Sequence, residues 1–166
     1  MHAASRLLAG ALLLAGPVAF AQASATAINV PATARIYKPI TLANDTGLSF
    51  GDIFASATAG TVTLAPASTR TATGGATLAA TGTANAAQFT VGGKRNASYA
   101  ITFSSPVVLS GSGADMAVSA FTPSLGSGLL DATGAQIFTV GATLAVGANQ
   151  LDGDYAGTFS VTVTYN

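Results

Sequence analysis

Few residues in this sequence have the type and spacing to carry chemistry. Asp152-Gly153-Asp154 sets two carboxylates one residue apart, half of the oxygen cluster that a Ca²⁺ ion takes. No further carboxylate follows at EF-hand spacing, and Asp and Gly are favoured turn residues, so the triplet reads as the turn before the last strand. Gly92-Gly93-Lys94-Arg95 has the Gly-Lys step of a phosphate loop. It lacks the Gly five residues before Gly93, and Arg95 stands where Ser or Thr should follow the Lys. Alternating runs on both sides make it a hairpin turn with exposed bases. The many Ser hydroxyls have no His to activate them beyond His2, which leaves Ser–Lys as the sole nucleophile arrangement, without its motifs. Asp115 and Asp131 stand apart, and nothing in the sequence brings two carboxylates to glycosidase separation. Asn44-Asp-Thr46 and Asn96-Ala-Ser98 fit the N-glycosylation pattern and read as polar loops. Tyr37, Tyr99, Tyr155 and Tyr165 can stack on sugars in an adhesin, but core or edge packing is their expected use. No catalytic residue, metal ligand or cofactor emerges, and the chain is not expected to be an enzyme.

The elements that would position these residues are constrained by composition. The chain has 166 residues, 49% hydrophobic and only 7% charged, against roughly 25% charged in an average domain. That content supports one core rather than disorder. Formal net charge is zero, so no basic face is available to neutralise phosphates, and nucleic acid is not an expected partner. The absence of Cys excludes disulfides, thiol nucleophiles and thiolate metal sites.

The first residues have the form of an export signal. Met1, His2 and Arg6 precede an apolar run from Leu7 to Phe20, and Ala19, Ala21 and Ala23 offer A-x-A cleavage points after Ala21 or Ala23. The run is about 14 residues and contains Gly16-Pro17, whereas a spanning helix needs about 20. The expected organisation is a signal over 1–23, an extension over 24–36 and one β-sandwich domain over 37–166. The mature chain then crosses the inner membrane to the periplasm and cell surface, with no membrane span after cleavage.

Beyond the signal, apolar residues alternate with Ser and Thr at period 2, the mark of half-buried strands. Phe159-Ser-Val161-Thr-Val163-Thr-Tyr165 shows it best; Gly60–Leu64, Gln88–Val91, Tyr99–Phe103 and Met116–Phe121 repeat it. Ile137–Val140 and Thr143–Val146 form a further pair separated by Gly141. Asn44-Asp45, Gly74-Gly75, Gly92-Gly93, Ser105-Pro106 and similar clusters punctuate the runs. Seven to nine short strands with regular turn signals predict an all-β, immunoglobulin-like antiparallel sandwich.

The two ends carry the sharpest pattern. Ile28, Val30, Ala32, Ala34 and Ile36 fall on one face of an extended strand, interrupted by Pro31, which removes one ladder N–H. At the other end Tyr165 is penultimate and Gly153 lies at the head of the alternating run through Phe159, Val161 and Val163. This spacing resembles the C-terminal strand of chaperone–usher pilins. In that family a periplasmic chaperone holds this strand, and the extension of the next subunit later fills the groove beside it. Many such pilins carry a Cys pair, which this chain lacks. Leu48-Ser-Phe50-Gly51-Asp-Ile53, Phe138-Thr-Val140-Gly141-Ala-Thr-Leu144 and Gly153-Asp-Tyr155-Ala-Gly157-Thr-Phe159 extend the likeness over nearly the whole mature chain. They resemble the secreted bacterial domain of unknown function 4402, some members of which are described as similar to Mat/Ecp-type fimbrial subunits.

The resemblance implies a pilin-like structural protein that assembles by strand addition into a homopolymer, with a periplasmic chaperone and usher as partners. Ile28, Val30, Ala32 and Ile36 would then be the donor side chains. Gly153, Tyr155, Phe159, Val161, Val163 and Tyr165 would form the groove strand. The other expectation is a monomeric adhesin or lectin-like module whose residues 24–36 pair within their own sandwich. A spore-coat type of secreted sandwich also ends in V-T-V before a Tyr, but the lack of Cys counts against it.

Overall fold

The computed structural model describes residues 24–166, and the expected signal segment lies outside them. Among the described residues all regular structure is strand, and no helix is long and apolar enough to cross a membrane. Strands β1 (Thr41–Thr46), β2 (Ser49–Phe50), β3 (Ile53–Phe54), β4 (Gly60–Leu64) and β5 (Arg70–Gly74) come first. Then follow β6 (Thr77–Leu78), β7 (Ala84–Asn85), β8 (Ala87–Gly92), β9 (Ser98–Phe103) and β10 (Val107–Gly111). The last are β11 (Met116–Pro123), β12 (Gly128–Leu129), β13 (Ala135–Val146), β14 (Tyr155–Ala156) and β15 (Val161–Tyr165). Nine of them have five residues or more, matching the seven to nine expected, and six are two-residue pairings.

All ladders are antiparallel. The large sheet runs β1-β8-β13-β11-β10-β14, with β4 and β5 added beside the second half of β13. A smaller sheet, β12-β9-β15, forms the opposing layer, and β2-β7 and β3-β6 are separate short pairs. The architecture is an all-β sandwich. Alternation predicts which side chains turn inward: in β13 Phe138, Val140, Ala142, Leu144 and Val146 are buried while Ile137 is exposed. β8 buries Ala87, Phe89 and Val91 by the same rule, and β15 half-buries Val161, Val163 and Tyr165.

Four local readings are corrected by the structure. Gly141 does not separate two strands; it lies inside the continuous β13, where β4 ends against it and an added Cβ would overlap the Leu64 carbonyl. Gly92–Arg95 is no hairpin, because β8 pairs in the large sheet and β9 in the small one, so the segment arches between layers. Asn44-Asp45 sits within β1 at a register shift, with Asn44 Nδ2 donating to the carbonyls of Thr46 and Gln88. Finally, Gly153–Tyr165 is not one strand. β14 pairs β10 in the large sheet and β15 pairs β9 in the small one, the chain crossing between layers at 157–160. Ser104 and Ser160 brace that crossing through Ser104 N–H to Ser160 O and Ser160 N–H to Ser104 Oγ, both 2.9 Å.

The compact unit is Ile36–Asn166. Residues 24–40 contain no strand. Within the extension, Asn29 adopts φ 58°, a left-handed conformation that Asn tolerates and that interrupts extended backbone between Ile28 and Val30.

Candidate functional site

The core of the sandwich divides into two clusters, and the division creates the site. One cluster, around Phe89, Val91, Tyr99, Phe138 and Val140, is closed between the large sheet and the β12-β9-β15 layer. The other, around Val62, Leu64, Val118, Leu144 and Val146, lies where that second layer has ended. The short pairs β2-β7 and β3-β6, Leu48 and the segment of Tyr155 and Phe159 pack over it. Between them opens a groove of about 1210 Å³. Its floor is Val107, Met116, Val118, Leu144 and Val146. Leu42, Leu48 and Phe50 line it, as do Tyr155, Phe159 and Val161. The floor side chains retain at most 8% exposure and belong to the packed core beneath the groove.

Among the described residues both strands that flank the groove are unpaired on their outer edge, β1 pairing β8 alone and β15 pairing β9 alone. Such edges present rows of free N–H and C=O groups to any strand that reaches them. The two edges meet at one end through Tyr165, whose hydroxyl donates to Lys38 O at 2.8 Å and accepts from Lys94 N–H at 2.6 Å. That contact lies past the groove, whose lining on β15 includes Val161 but not Val163 or Tyr165, so this is its closed end. Phe159 stands at the junction of the two clusters, stacked on Phe121 at 4.9 Å and edge-on to Phe89 at 6.4 Å.

The residues expected at the C-terminal strand therefore separate into two groups. Gly153, Tyr155, Phe159 and Val161 line the groove, whereas Val163 packs against the closed cluster and Tyr165 holds the closed end. Gly153 has φ 134°, a conformation L residues rarely adopt, and a Cβ there would overlap Ser112 Oγ. Tyr155 donates its hydroxyl to Leu151 O at 2.9 Å, bracing the 147–154 loop. Of the extension residues, Ile28 and Val30 are 76% and 70% exposed, Ala32 is exposed, and Ile36 is 93% exposed. Leu42, Val107 and Leu109 line the groove without having been singled out in the sequence. The signal for Val107 and Leu109 was a short apolar run after Ser105-Pro106, too brief to show alternation.

Two titratable groups are shifted by contacts within the chain itself. Asp131 Oδ1 accepts from the N–H groups of Thr133 and Ala135 and from Thr133 Oγ1. These donors, with Ala135 first, lower its pKa to about 2 although the carboxylate is fully exposed. Tyr99 is wholly buried, its hydroxyl donating to Gln136 Oε1 at 2.9 Å, and burial pushes its phenol up. Tyr37 is half-exposed with Lys94 Nζ 4.6 Å above its ring. Among the described residues no three of His, Cys, Asp and Glu stand together as a metal-holding group. What the geometry offers is a surface for an extended apolar segment: free edge groups for main-chain hydrogen bonds and an apolar floor for alternate side chains.

No curated protein and no solved structure matches the chain. A family model does, over residues 40–165, a span that includes both edges of the groove. On that match the chain belongs to the family described as Domain of unknown function (DUF4402).

Proposed function

We propose that this chain is an exported structural subunit of the cell surface, similar to fimbrial subunits of the Mat/Ecp type, that assembles by strand addition. The observation that carries the reading is the apolar groove between two unpaired strand edges, β1 and β15. A strand entering there hydrogen-bonds an open edge and sets alternate side chains on the floor. The donor is the 24–36 segment of a like subunit, with Ile28, Val30 and Ile36 as its largest apolar side chains. A periplasmic chaperone covers the same edge before assembly, and an usher exchanges it for the incoming subunit. A self-complemented adhesin would need a further strand of its own chain in that groove, and residues 24–40 contain none.

The test is the surface-sheared fraction of the native host, run on SDS gels with and without boiling. Strand-exchanged polymers give a ladder that collapses to monomer only on heating. One monomer band in both lanes refutes the assignment.

A further inference from the structure

Charged side chains of opposite sign gather toward the two ends of β13, and the carboxylates line the groove. β13 sets the scale: its twelve residues span about 37 Å at roughly 3.4 Å per residue. At its start, Ala135 pairs with Gly92 and Gly93 N–H donates to Gly134 O, so Lys94 and Arg95 lie just beyond that end. Lys38 joins them through the shared Tyr165 hydroxyl. All three cations are exposed, and the nearby carboxylate is Asp131, whose backbone accepts from Asn96 N–H. Past the other end of β13, the 147–154 loop carries Asp152 and Asp154, which line the groove together with Asp52. All three are exposed. Asp115 is adjacent to this loop, since Gln150 Nε2 donates to Ala114 O. The cation here, Arg70, spends its guanidinium on the backbone carbonyls of Phe50, Asp52 and Ala79.

We infer that the basic end of one copy, Lys38, Lys94 and Arg95, seats against the acidic mouth of the groove of a second copy, Asp52, Asp152 and Asp154, and so sets the direction of assembly. This deepens the strand-addition reading and rests on it. The position of the extension supports the pairing: it joins the domain at Ile36–Lys38, which is the basic end. An incoming extension that enters through the acidic mouth brings its own basic end to that mouth. It then runs from the closed end toward the open one, antiparallel to β15, whose chain runs from Val161 in the groove to Tyr165 at the closed end. The reverse entry would bring like-charged basic ends together. Complementary ends of this kind act chiefly on the rate of encounter, by ten-fold to a thousand-fold at low salt.

The test uses the full chain and follows the initial rate of heat-sensitive polymer formation at about 50 mM and about 500 mM salt, where screening lengths differ severalfold. Four proteins are compared: the natural chain, Lys94→Glu with Arg95→Glu, Asp152→Lys with Asp154→Lys, and all four substitutions together. Each pair is expected to slow assembly at least ten-fold at low salt, and the four-fold exchange to restore it to within about three-fold. The natural chain is expected to slow as salt rises, a readout that needs no variant to fold. Pairs that assemble as fast as the natural chain, or a four-fold exchange that rescues nothing while the natural rate ignores salt, overturn the charged seating and leave strand addition standing. A natural chain that forms no polymer under any condition overturns both.

Discussion

Truncating Ile28 and Val30 together to Ala separates donation to another subunit from packing within the chain. Both side chains are largely exposed, 76% and 70%. The substitutions delete roughly five carbon groups, each worth about 0.8 kcal/mol when buried. Because about three quarters of each side chain is still in water in the free chain, about 3 kcal/mol of that stabilisation belongs to the assembled state. At 1.4 kcal/mol per ten-fold, subunit–subunit affinity falls roughly 100-fold. The free monomer loses the remaining quarter, about 1 kcal/mol at most. The assay is paired: urea unfolding of the monomer, and the dissociation of pre-formed oligomers followed on unboiled gels. The expected result is a monomer midpoint close to the natural one with oligomers that fall apart. Unchanged oligomers would refute the assignment of these residues as donors. A monomer destabilised by the full amount would instead mean that they pack within their own chain.

Three further outcomes follow from the site and its supports. Tyr165→Phe removes a hydroxyl that both donates to Lys38 O and accepts from Lys94 N–H, so about 1–2 kcal/mol of stability should be lost in urea titrations, opening the closed end of the groove. Gly141→Ala forces a Cβ against the Leu64 carbonyl inside β13, and a loss of about 2 kcal/mol or more is expected by the same measurement. Asp131, with its carboxyl lowered from 3.8 to about 2, favours the folded state when ionised. Its contribution is present above about pH 4 and is lost as pH falls toward 2; thermal melts of Asp131→Asn should show a shallower decline over that window than those of the natural chain.

The β class of this protein is written locally. Period-2 alternation marks the longer strands such as β8, β13 and β15 because successive side chains face opposite sides, and Val161, Val163 and Tyr165 point inward as their spacing alone requires. β1 and β5 were less legible. Asn44 and Asp45 are turn residues lodged at a bulge, and Arg70-Thr-Ala-Thr-Gly74 offers no large apolar side chain to reveal its period. Gly141 misled for a related reason: a Gly that breaks a strand and a Gly that lets a neighbouring backbone approach look alike until the neighbour is known.

The groove belongs to the second kind of information. Phe159 and Val161 were readable as apolar strand positions, but no local pattern says that β14 and β15 enter different sheets, or that β12-β9-β15 stops short of Val118 and Leu144. Those facts depend on pairings such as β1 with β8 and β4 with β13, between segments far apart in the chain. The charges divide in the same way. By itself the sequence determined their number and their balance, because composition is independent of shape. Only the tertiary structure decided that Lys38 lies with Lys94 and Arg95 at one end and Asp52 with Asp152 and Asp154 at the other. Which distant residues become neighbours is set by how the sheets stack, and stacking is a property of the whole chain.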